Sequence, residues 1–182
     1  MRAAISPARS TLHELGLALA MGGTYFGKFH LDPAVKVLPS RAERGQVIAA
    51  AWGSFLLSDA LGLGVGVATW LGERARLVRR PAPSRVRGLV RVKDVLLGTS
   101  VLAVVVNAVS AALLLREAGG PAIPVETGLT AAPEATPRMV WLQRSMTVTS
   151  FIHMAATAAA LGMSTVLPPR TRGLLWGYDS QK

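Results

Sequence analysis

The chain has 182 residues, no cysteine, a net charge of +10 and 51% hydrophobic against only 16% charged residues, where a soluble domain carries about 25% charged. Its mean hydropathy is +0.39, and the charges cluster between long apolar stretches, which points to a polytopic membrane protein. Absence of cysteine excludes disulfides, thiolate metal sites and cysteine nucleophiles, and the basic excess lacks the modules and aromatic interleaving of a nucleic-acid binder.

The first expected span, Thr11 to Leu31, has 13 uncharged residues from Leu15 to Gly27, flanked by His13 and Glu14 before and by Lys28 and His30 after. Lys28 is expected to snorkel toward the nearer interface. A cleaved signal peptide is the rival reading, with Arg2 and Arg9 preceding Ala18-Leu19-Ala20, but Glu14 leaves an apolar run of only six residues before that point. Gln46 to Leu71 then runs 26 residues with one charge, Asp59; Val95 to Leu115 runs 21 with none; Ser145 to Leu167 runs 23 with one titratable group, His153. Each meets the roughly 20 residues a helix needs to cross the hydrocarbon, and only a helix satisfies its own backbone there. The expectation is an all-α, four-helix up-down bundle forming a single integral membrane domain over residues 1–182. Its helices are expected at about 11–31, 46–71, 95–115 and 143–167, with a basic loop at 73–94 broken by Pro81 and Pro83 and an outer loop at 117–140.

Lysine and arginine set the sidedness. The N-terminal tail, the 73–94 loop and the C-terminal tail carry thirteen: Arg2, Arg9, Arg74, Arg76, Arg79, Arg80, Arg85, Arg87, Arg91, Lys93, Arg170, Arg172 and Lys182. The other side carries seven: Lys28, Lys36, Arg41, Arg44, Arg116, Arg138 and Arg144. The expectation is therefore a multi-pass protein of a bacterial-type cytoplasmic membrane with both termini inside. The 73–94 loop would lie against anionic headgroups, at about 1 kcal/mol per cation, or dock an acidic partner. Trp70, Tyr25 and Trp141 fall where an aromatic belt would sit.

Lipid supplies no hydrophobic force between helices, so small residues must let them approach. Gly23 and Gly27, Gly62 and Gly66 (with Gly64 between), and Ala156, Ala160 and Ser164 have the required four-residue spacing. Short loops predict that consecutive helices pack as antiparallel neighbours in a left-handed up-down bundle.

Converted to depth, Asp59 and Asn107 each lie about 18 Å from the inner end of their helices and His153 about 21 Å. An intramembrane aspartate costs about 2.5–3.5 kcal/mol on insertion scales and seeks the bundle interior. Asp59, Asn107 and His153 are thus a candidate midplane cluster, either relaying protons or a cation, or simply hydrogen-bonding the helices together at about 0.6 kcal/mol per contact. His13 and Glu14 form a candidate interfacial acid–base pair. His13 and His30 share no depth with His153, which argues against a bis-histidine haem. No dinucleotide, P-loop, zinc-hydrolase or nucleophile-elbow motif is present, so no catalytic, cofactor or metal residues are assigned.

Across these spans the chain resembles a family of small four-helix membrane proteins labelled copper-resistance-D-like, related to animal proteins linked to cisplatin resistance. The resemblance runs through Leu12-His13, Gly16, Gly22 and Gly23, Phe29, Leu38-Pro39, Gly45-Gln46-Val47, Asn107, Arg144, Phe151 and His153. It departs where His153 is followed by Met154 and alanines rather than by glycine, serine and asparagine. The resemblance implies a membrane protein tied to metal or drug tolerance, with no defined reaction. From the residues themselves, a non-enzymatic accessory subunit binding partners through its helix faces is expected first, and a proton- or metal-cation-translocating module second.

Overall fold

A computed structural model describes residues 7–78 and 84–166. Four long helices, α1 (Pro7–Phe26), α3 (Arg41–Val78), α4 (Ser84–Glu117) and α5 (Pro137–Val166), form an all-α bundle. Segments of three of them, Arg41–Ala75, Val86–Glu117 and Pro137–Thr165, are long and apolar enough to cross a membrane. Helix α1 is not in that set. Its 20 residues include Arg9, His13 and Glu14, and after Phe26 the backbone widens into a π turn, Gly27–Leu31.

The helix ends follow local chemistry. Ser40 caps α3, accepting from the Glu43 amide at 3.4 Å, and Thr136 caps α5, accepting from the Met139 amide at 3.2 Å, with Pro137 in the first turn. Helix α4 stops where Gly119 takes a φ of +69°. Gly120 N–H then returns to Leu115 O and Gly119 N–H to Arg116 O, satisfying carbonyls that a helix end leaves free. Between α1 and α3 the chain passes from the π turn through α2 (Asp32–Ala34) and a 3₁₀ turn, Val35–Val37.

These ends lengthen the expected helices and shrink the loops. The 73–94 "loop" is mostly helix, because α3 continues to Val78 and α4 begins at Ser84. Pro81 and Pro83, the chain termini and cations such as Arg79, Arg170 and Lys182 lie outside the described residues. The 117–140 segment is also structured, as an antiparallel hairpin of β1 (Val125–Thr127) and β2 (Thr130–Ala131).

Helix α1 packs on α3 through glycine. A Cβ at Gly16 would run into the carbonyl oxygen of Gly62, with the Gly66 amide just behind, and one at Gly62 would meet the Gly16 carbonyl. Gly23 and Gly27 instead seat the rings of Phe55 and Trp52, while Gly64 faces open space. Helix α1 also packs on α5, and α5 packs along its length on α4. The order around the bundle is therefore α3–α1–α5–α4. Consecutive helices α3 and α4 scarcely touch, contrary to the expectation from connectivity. The α4–α5 and α1–α3 seams are the closely packed ones, and they draw α3 and α4 apart.

Two side chains assigned to the membrane interface are internal. Trp70 is 1% exposed and sits in the core with Leu17, Leu63, Val90 and Leu97; its indole N–H donates to Asp94 at 2.8 Å, and Arg74 reaches the same carboxylate at 2.6 Å. Tyr25 and Trp141 are exposed. Lys28 does not snorkel. It is 5% exposed, pairs with Asp32 at 2.9 Å and lies 4.6 Å from the centre of the Trp52 ring.

Candidate functional site

The α4–α5 seam carries a polar ladder. Lys93, Ser100 and Asn107 climb α4 seven residues at a time, and Ser164, Thr157 and Ser150 descend α5 by the same step. Lys93 Nζ donates to Ser164 Oγ at 2.8 Å, Ser100 Oγ lies 2.8 Å from Thr157 Oγ1, and Asn107 Nδ2 donates to Ser150 Oγ at 2.7 Å. Seven residues are close to two helical turns, so each rung recurs on the same face. Lys93 is thereby turned inward, 1% exposed and over the Trp70 ring, and does not join the basic surface expected of 73–94.

His153 sits one turn above Thr157, and the hydroxyls around it fix its proton. Thr157 Oγ1 donates its hydrogen to the His153 carbonyl at 2.7 Å. It must then accept from Ser100, whose hydrogen is thus used. Ser100 Oγ is left as an acceptor for His153 Nδ1, 2.8 Å away. Each hydroxyl has one hydrogen to give, so Nδ1 carries the proton. The opposite nitrogen, Nε2, lies 3.3 Å from Asp59 Oδ1. Both atoms are buried, and the contact is too poorly aligned for a hydrogen bond. Two lone-pair-bearing atoms at that separation repel unless a proton or another donor serves them.

Asp59 and His153 therefore meet. Asn107 is not hydrogen-bonded to either of them; its amide donates to Ser150. All three border one cavity of about 290 Å³, which runs from Asp59 and His153 to Ile123, Val125 and Gly128 at the hairpin. Its walls are mainly apolar, including Trp52, Phe55, Leu56 and Val104, and both α3 and α4, which make few contacts with each other, contribute to them.

The hairpin end is held by ions. Asp32 is fully buried, accepting from Lys28 and, at 2.7 Å, from the Trp52 indole. Its own carbonyl accepts from Gly128 N–H at 3.1 Å, and a Cβ at Gly128 would strike the Asp32 carboxylate. Arg44 donates to the Leu38 carbonyl at 2.9 Å and to the Glu126 carboxylate at 3.0 Å, while Arg41 bridges Glu126 and Glu134. Gln143 Nε2 donates to the Thr127 carbonyl at 3.1 Å.

His13 and Glu14 do not pair. Neighbouring residues point about 100° apart on a helix, so His13 is buried, with Nδ1 2.7 Å from the Gly66 carbonyl, while Glu14 is exposed and accepts a 3.5 Å contact from Ser10. Among the described residues no group of three or more His, Cys, Asp and Glu side chains converges to hold a metal ion. Ser100, Ser150, Thr157, the Lys28–Asp32 pair and Lys93 have no counterpart among the site residues expected from depth. For the α4–α5 rungs the seven-residue recurrence along both helices was the available signal.

The fold and site define a helical bundle, with three membrane-competent helices, whose cavity is bordered by a buried carboxylate–imidazole pair. Comparison with protein-family models, curated proteins and solved structures found no match.

Proposed function

We propose that this protein is a non-enzymatic, multi-pass membrane protein that binds and releases a proton at the Asp59–His153 pair, as the working centre of a small carrier. The observation that carries this reading is the hydroxyl chain Ser100–Thr157. It commits His153 Nδ1 as a donor and leaves the free nitrogen 3.3 Å from Asp59 Oδ1. One proton shared by these two atoms relieves the repulsion, and the cavity gives it a route in and out. The other charges bordering the cavity favour this assignment, since Lys28 is already matched by Asp32. A proton suits the pair better than copper or another metal ion, which would need more ligands than one carboxylate and one imidazole.

In this reading α1 completes the bundle as a fourth span, both termini and the basic 73–94 connection face the cytoplasm against anionic headgroups, and the hairpin closes the outer end. The gap between α3 and α4 also supports a second reading, an accessory subunit whose partner lays a helix into it. Infrared difference spectroscopy on the purified protein in nanodiscs, titrated with pH, tests the first. Wild-type protein is expected to show carboxyl and imidazole signals for about one exchangeable proton, lost in Asp59→Asn. Identical titration of the two proteins would refute it. A stable membrane partner copurifying in mild detergent, together with that silence, would favour the subunit.

A further inference from the structure

The two polar atoms of the cavity wall that are buried without a partner are both acceptors. Asp59 Oδ1 and His153 Nε2 are buried and unserved. Asn107 has given one amide N–H to Ser150 and Gln143 one to Thr127, and each also carries an amide oxygen that can accept. The one cationic donor on the wall, Lys28, is held by Asp32. Everything else that matters for size is apolar, with Trp52 and Phe55 contributing flat aromatic surface.

We infer that the cavity binds a small lipophilic primary ammonium ion, which enters sideways between α3 and α4 and displaces the proton from the Asp59–His153 pair. The inference rests on the proton-site reading above and names its counter-ligand. Two acceptors 3.3 Å apart are served equally by one proton or by a head group with several N–H donors. A primary ammonium has three, enough for the Asp59 carboxylate, the imidazole nitrogen and an amide oxygen at once. A neutral hydroxyl has a single donor and leaves one acceptor orphaned, and a quaternary ammonium has none. An apolar cavity of about 150 Å³ holds benzene. At about 290 Å³ this one takes a single aromatic ring with a short amine-bearing chain. The exchange balances in charge and atoms: the protonated pair plus a free ammonium ion gives the ammonium-occupied pair plus one released proton.

The test is calorimetric titration of 2-phenylethylammonium into the full-length protein in nanodiscs, in two buffers of different ionisation enthalpy so that released protons are counted. Saturable binding with release of about one proton is expected. 2-Phenylethanol and the N,N,N-trimethyl analogue should bind at least ten-fold more weakly, and Asp59→Asn should abolish both binding and release. Gly53 borders the cavity, and a side chain there meets open space. Gly53→Phe should therefore weaken amine binding at least ten-fold while leaving the infrared proton titration intact. Equal affinity for the alcohol or the quaternary ion, or binding without proton release, would overturn the inference. Failure to bind in a protein whose pair still titrates would sink the amine alone; loss of the titration itself would sink the proton site beneath it.

Discussion

Replacing Asp32 with alanine gives the sharpest test of how the hairpin end is held. Asp32 is 0% and Lys28 5% exposed, they lie 2.9 Å apart, and the carboxylate also takes the Trp52 indole at 2.7 Å. Asp32→Ala leaves the Lys28 ammonium buried without its anion, and breaking a buried pair from one side costs about 3–5 kcal/mol. That is a large share of a typical folding free energy of about 5–15 kcal/mol. The cost belongs to the stranded charge rather than to the pair. Lys28→Met with Asp32→Leu removes both charges, and such apolar replacement is neutral or stabilising by about 1–4 kcal/mol. The double variant should therefore recover most of what the single one loses. Unfolding in mixed micelles of increasing SDS fraction, followed by tryptophan fluorescence, measures both. Asp32→Ala within about 1 kcal/mol of wild type, or a double variant less stable than the single one, would refute the reasoning.

Gly16→Val should destabilise the α1–α3 seam by about 1–3 kcal/mol, since its Cβ meets backbone that cannot yield, whereas Gly22→Ala enters open space and should stay within about 0.5 kcal/mol; thermal melts in detergent compare them. His13→Ala is expected to cost about 1–3 kcal/mol through the buried contact with the Gly66 carbonyl, while Glu14→Gln at the exposed neighbour stays within about 0.5 kcal/mol. Equal losses in the same melts would restore the idea that the two act as a pair. Arg41 is 43% exposed and Arg44 14%. Arg41→Ala should cost at most about 1 kcal/mol, but Arg44→Ala also removes the donors to Leu38 and Glu126 and should speed protease cleavage in the 121–136 segment several-fold more than Arg41→Ala does.

Much of the bundle was legible because hydrophobicity along a chain is a local signal. The apolar runs around Asp59, Asn107 and His153 became helices, and their shared level brought all three to one cavity. Polar helix extensions were not legible: Arg41–Gln46 and Ser84–Asp94 are charged, yet capping and packing continue the helix through them. Trp70 and Lys28 were misassigned for one reason. Position near a span's end suggests an interface, but rotation about the helix axis turned Trp70 toward Asp94 and Lys28 toward Asp32. Depth likewise could not separate Asn107 from its presumed partners, because it says nothing about azimuth.

The sequence alone determined that the chain is helical, that much of it suits hydrocarbon, and that a carboxylate, an amide and an imidazole stand at similar distances along three of its apolar runs. These follow from the transfer energies of successive side chains and the fixed rise of a helix, neither of which needs a neighbour. The tertiary structure decided the order α3–α1–α5–α4, the gap between α3 and α4, and the tautomer of His153. Those depend on which helix faces approach closely: bare glycine backbone draws α1 onto α3, and polar rungs seven residues apart zip α4 to α5. The cavity is the space these two seams leave between them.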